Sequence, residues 1–145
     1  MCSSDRGTYN DWNVFQRSEP RTCYMSSTPI DMEPKALRRG DVFVRVTQAP
    51  SGSSTVSLVA GYALDTTATA VLTVDATEFR LRINGAEVVA ADAVQDAALV
   101  RAMMAGSQMT VRVTSGRGPV TTDRYSLTGF TAAINSMNAS CRKAA

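Results

Sequence analysis

The chain has 145 residues, 44% of them hydrophobic and 19% charged, with a formal net charge of +2. That balance describes one folded domain with its own core, too apolar for disorder. The small charge offers no electrostatic basis for non-specific nucleic-acid binding, and no apolar run approaches the roughly 20 residues of a membrane span.

In chain order, residues 1–8 are polar and read as a disordered tail ahead of a single domain over 9–145. Strand-like segments follow at 9–16, with Trp12, Val14 and Phe15, and at 21–27, with Cys23, Tyr24 and Met25. Pro29 and Pro34 forbid a central strand in the connection 28–34. Segment 41–47 shows the clearest alternation, with Val42, Val44 and Val46 facing one way and Arg45 and Thr47 the other. After a loop at 49–54, segment 55–62 places Val56, Leu58 and Ala60 on one face. Further strands are expected at 70–74 and 78–83, where Phe79, Leu81 and Ile83 alternate with Glu78, Arg80 and Arg82. Asn84-Gly85 signals a hairpin into a short return strand at 86–89.

The pattern then changes. Asp92 and Gln95 are spaced as a capping box for a helix over 92–105, and Gly106 supplies its stop. Alternation returns at 108–115 through Met109, Val111 and Val113, and 116–119 turns the chain into a last strand at 120–127. A Thr128 cap opens a short helix over 129–140, with Phe130, Ala133, Ile134 and Met137 on one face and Cys141 just beyond. About eight strands with two short helices predict a mainly β protein, an antiparallel β-sandwich.

Chemistry-bearing residues are sparse. Histidine is absent, which removes Ser-His-Asp and Cys-His arrangements, the usual metal ligand and the commonest general base together. Asp65, Asp75, Glu78, Glu87, Asp92 and Asp96 are scattered between strands and at a helix start, where turn and cap roles account for them. Gly116-Arg117-Gly118 lacks the Lys-Ser/Thr ending and following helix of a phosphate loop, so it reads as a turn. Met103, Met104 and Met109 suit either an adaptable groove or core packing, with core favoured. Trp12, with Tyr9 and Tyr24, suits a surface anchor or the core, and a lone tryptophan here favours core. Arg45, Arg80, Arg82 and Arg112 fall on outward strand positions; they form either a basic stripe able to grip an anion or an ordinary charged sheet face. Neither a metal nor a cofactor site is expected.

Three cysteines, Cys2, Cys23 and Cys141, show no Cys-x-x-Cys spacing. Spacing alone leaves two readings of Cys23 and Cys141 open: a long-range bridge, worth about 4–5 kcal/mol on the chain-entropy model, or two buried thiols in a cytosolic protein. Met1-Cys2-Ser3-Ser4 is a polar start with no signal peptide behind it, as in a processed chain; its cysteine suits lipidation or an inert terminus.

Asp11-Trp12-Asn13-Val14, Cys23-Tyr24, Arg39-Gly40-Asp41, Gly61-Tyr62, Ser115-Gly116-Arg117-Gly118 and Ser126-Leu127-Thr128-Gly129-Phe130-Thr131-Ala132-Ala133 occur in this order. Together they resemble the invasion-associated locus B family of secreted bacterial envelope proteins, from Trp12 to Cys141. The resemblance implies an immunoglobulin-like β-sandwich, export to the periplasm or cell surface, no enzyme activity, and a Cys23–Cys141 disulfide. Some members are linked to entry into host cells. Better-known members tend to carry a cysteine near Phe15 and more mid-chain, whereas none lies between Cys23 and Cys141 here. The expectation is a non-catalytic exported envelope protein that binds an envelope or host-surface protein; the alternative is a periplasmic small-ligand-binding β-sandwich.

Overall fold

Two-residue periodicity dominates the chain, and strands dominate the fold. The computed structural model describes residues 4–18, 21–34, 40–48, 53–62, 64, 69–85, 87–114 and 120–143. Among these, the strands are β1 (Ser4–Tyr9), β2 (Trp12–Ser18), β3 (Arg21–Ser27), β4 (Asp31–Glu33), β5 (Phe43–Gln48), β6 (Ser54–Val59), β7 (Thr69–Val74), β8 (Thr77–Asn84), β9 (Glu87–Val89), β10 (Gln108–Thr114) and β11 (Thr121–Ser126). Two helices, α1 (Ala93–Ala105) and α2 (Phe130–Lys143), complete it.

The immunoglobulin-like sandwich is not what forms. All eleven strands join one sheet in the order β1-β2-β3-β5-β6-β9-β8-β7-β10-β11-β4, curled into a half-barrel. Strand β8 is the reason. Its residues Thr77–Leu81 pair antiparallel with β7, while Arg82–Asn84 pair with β9. A strand that hands its hydrogen bonds from one neighbour to the other joins two runs that a sandwich would stack as separate layers.

Alternation decides which side of this sheet is buried. Val44 and Val46, Val56 and Leu58, Ala70, Leu72 and Val74, and Met109, Val111 and Val113 all point inward and are buried. Helix α2 packs on β1, β2, β3 and β5, and α1 packs on β6 and touches α2. Phe130, Ala133, Ile134 and Met137 are buried, as the helical spacing requires. Asp92 caps α1 by accepting from Gln95 N at 2.9 Å; the Gln95 amide accepts from Ala91 N at 2.7 Å and donates to Arg80 O at 2.8 Å. This satisfies helix-start donors and ties α1 to β8.

Three segments differ from expectation. Residues 4–8, expected within a disordered tail, form with Tyr9 the strand β1, paired with β2 across a tight turn where Asn10 takes φ +56°. Within the connection 28–34, Asp31–Glu33 forms a three-residue edge strand on β11, a place where proline is tolerated. At the Asn84-Gly85 hairpin, Asn84 pairs with Glu87, so the turn lies one residue later, with Gly85 at φ +64°. The expected turn at 116–119, and Asp65, lie outside the described residues.

The motif residues meet at structural joints. Trp12 is wholly buried; its indole N–H donates to Ser126 O at 3.0 Å and its ring meets Phe130 edge-on at 4.9 Å. Asp11 N donates to Thr128 O at 3.3 Å. Gly129 adopts φ +90°, and a Cβ there would stand 1.9 Å from Tyr9 O. Gly40 N donates to Gly61 O at 2.7 Å, and a Cβ on Gly61, at φ +81°, would come within 2.9 Å of Gly40 O. Both glycines are required by backbone crowding combined with positive φ.

Candidate functional site

The four arginines share the outer face but do not converge. Register places Arg45 opposite Ser57, Ser57 opposite Val89 and Val89 opposite Arg82. Three strand steps of about 4.8 Å put Arg45 and Arg82 roughly 14 Å apart. Arg80 and Arg112 flank Val71 in a second row, about 10 Å apart by the same spacing. Glu78 precedes Arg80 by two on the same face of β8, and Glu33 shares the row of Arg112 through Thr122. The face carries both signs, and of the four arginines Arg80 and Arg82, two residues apart on one face of β8, stand nearest each other.

Arg45 instead belongs to a groove on the outer face of β2, β3 and β5, with a volume of about 410 Å³. Phe15 and Tyr24 are directly opposed across β2 and β3 and stack with ring centroids 5.1 Å apart and planes inclined by 21°. Ser26 is opposed to Arg45 across β3 and β5. Phe43 lies two residues before Arg45, whose guanidinium sits 5.7 Å from the Phe43 ring centre. Thr28, Asp41 and Val42 close the rim. Arg45 lines the groove, and the described contact of its guanidinium is with the Phe43 ring.

The arrangement can stack on an apolar surface, donate through a guanidinium and accept through a carboxylate. Its signal in the sequence is aromatic residues on the wrong phase. Phe15 alternates against buried Trp12 and Val14, and Tyr24 against buried Cys23 and Met25. Outward positions of a sheet that needs only solubility carry polar side chains; here they carry rings. The candidate anchor Tyr24 lies in this groove, whereas Trp12 is core and Tyr9 is half-buried, donating to Ser136 Oγ at 2.8 Å.

The interior cavity lined by described residues is far smaller. The cavity between β6, β9, β10 and β11 measures about 10 Å³ and is lined by Leu58, Val88, Val111, Asp123 and Tyr125, room for one water at most. Thr121, Asp123 and Tyr125 alternate inward on β11, and the Tyr62 and Thr121 hydroxyls lie 2.7 Å apart. Met103 and Met109 are core residues, while Met104 is partly exposed. Neither carboxylate with a shifted pKa faces another across a cleft. Asp75 is held below the usual range by backbone N–H groups of Gln108 and Ser107. Asp96 is raised, mainly by burial, although it accepts from Val56 N at 2.9 Å. Among the described residues, no group of three or more Cys, Asp or Glu could hold a metal ion, and no helix is long and apolar enough to cross a membrane. Cys23 is wholly buried on β3 and Cys141 lies in the last turn of α2; Cys2 is outside the described residues.

A family model described as Invasion associated locus B (IalB) protein matches residues 12–138. Among solved structures, the crystal structure of invasion associated protein B from Bartonella henselae is similar, with a TM-score of 0.72 at 20% sequence identity. That match covers 94% of this chain and 97% of the other, and at this identity it speaks for the fold alone. No curated protein matches the chain in sequence.

Proposed function

The chain belongs to the invasion associated locus B family, and from that premise we propose a non-catalytic protein exported to the bacterial envelope, in the periplasm or at the cell surface. It acts by binding a protein or another envelope component through the outer face of β2, β3 and β5. The observation that carries this is Arg45, held over Phe43 with no other described partner, in a groove flanked by a stacked aromatic pair. A guanidinium resting on a ring keeps its donors available to a ligand. The non-catalytic part rests on the missing histidine.

Export and the Cys23–Cys141 disulfide belong to the same proposal. Cys23 is wholly buried on β3. Its cross-strand partner Gln48 donates to Asn138 Oδ1 at 2.6 Å, which brings α2 onto β3 three residues before Cys141 in the chain. A bridge from α2 to β3 forms readily only in an oxidising compartment.

A photo-crosslinking residue at Thr28, on the groove rim, tests the binding role in intact envelopes. An adduct is expected that disappears in Arg45→Glu and does not form from a probe at Val94 on α1. An adduct indifferent to Arg45→Glu would refute the groove as the binding surface. A second reading, a small-ligand binder, is favoured by the groove's volume, which falls within the range of about 300–1,000 Å³ for such sites. A small molecule retained in native mass spectrometry, and lost in Arg45→Glu, would decide for it.

A further inference from the structure

We propose that the groove on β2, β3 and β5 is a saccharide site, taking neutral pyranose rings of an envelope glycan chain. This rests on the binding reading above and names its ligand class. Charge selects the class. Arg45 and Asp41 stand in the same groove, bonded neither to each other nor to any other described side chain. An anion attracted by Arg45 is repelled by Asp41, and a cation meets the converse. A neutral polyol satisfies both, because hydroxyls accept from the guanidinium and donate to the carboxylate.

The rings point the same way. A pyranose has an apolar C–H face bordered by hydroxyls, and it needs an apolar platform beside polar groups of both kinds. Phe15 and Tyr24 supply a stacked pair 5.1 Å apart, fixed by direct cross-strand opposition. The Arg45 guanidinium lies 5.7 Å from the Phe43 ring centre, a contact that favours this placement of the donor. Ser26, opposite Arg45 in register, brings a further hydroxyl.

The test is an NMR titration of the intact, oxidised protein with chitotetraose, beside a sulfated heparin tetrasaccharide. Saturable shifts are expected on β2, β3 and β5 with chitotetraose. The affinity should change less than about twofold between roughly 50 and 500 mM salt, since no net charge is neutralised. Arg45→Ala should weaken binding about tenfold or more, as loss of a charged donor does, while Arg112→Ala leaves it unchanged. Phe15→Leu retains bulk without the ring and should also weaken binding; it serves in case Phe15→Ala fails to fold. Preference for the sulfated probe with steep loss in salt would overturn the proposal in favour of an anion site. Absence of saturable chitotetraose binding would also overturn it. If the Thr28 adduct persists in that case, only the ligand class has failed; if it is missing too, the binding reading fails with it.

Discussion

Replacing Gly129 by alanine tests whether the turn ahead of α2 is set by backbone crowding. At φ +90° any L side chain carries strain of about 1–3 kcal/mol. The new Cβ would stand 1.9 Å from Tyr9 O, whereas a carbon–oxygen contact ordinarily begins near 3.3 Å. One side must retreat by more than an ångström. That movement strains the bond from Asp11 N to Thr128 O at 3.3 Å and the one from the Trp12 indole to Ser126 O at 3.0 Å. Losing one buried bond adds about 1–3 kcal/mol, so the expected total is about 2–6 kcal/mol, a large share of the ~5–15 kcal/mol that holds a domain folded. Urea unfolding followed by the fluorescence of the single tryptophan measures it. Gly85→Ala is the control: φ is +64°, yet nothing lies within 4 Å of the added Cβ, so about 1 kcal/mol is expected. Equal losses in the two variants would refute the crowding argument.

Asp96 and Asp75 should respond to pH with opposite signs. Burial raises the Asp96 pKa above the ordinary aspartate value of 3.8, so its contribution to stability is full below that value and is lost as pH rises through the folded-state pKa. Asp96→Asn should therefore gain on the wild type as pH rises from acid to neutral. Asp96→Ala should cost about 1–3 kcal/mol, because Val56 N–H loses its acceptor. Backbone donors lower the Asp75 pKa, so its contribution is present above 3.8 and is lost as pH falls through the lower folded-state value. In Asp75→Asn the acid-side loss should shrink; thermal melts across pH 2–7 check both, and parallel curves would contradict the assignments. Cys23→Ser or reduction should cost about 4–5 kcal/mol if a loop of this length is closed by the bridge. Non-reducing peptide mapping should recover Cys23 linked to Cys141, and a free Cys141 would exclude that pairing.

How far the sequence could be read follows from where each signal resides. Local alternation located β5, β8 and β10, and the Asp92–Gln95 spacing located the start of α1, because these signals sit within a few residues. Strand β1 carries a polar, aperiodic sequence and exists through its pairing with β2; β4 is too short to show a period. The single curled sheet depends on β8 changing partners between Leu81 and Arg82, an event of pairing with no local residue mark. The arginine face illustrates the same limit: outward phase was correct, but convergence is a matter of register, which separates Arg45 from Arg82 and Arg112. Phe15 and Tyr24 could have been found as rings on the polar phase of their strands. Phe43, Asp41 and Ser26 join them only when β3 and β5 are paired.

An unclosed sheet has two rims, and each is poorly suited to recruiting a neighbour. On one side β4 offers three residues and then Pro34, which brings no donor. On the other, the β1 ladder slips between Asp5 and Gly7, the kind of kink that turns an edge away from a second chain. Strand-to-strand polymerisation therefore finds no flat template at either end.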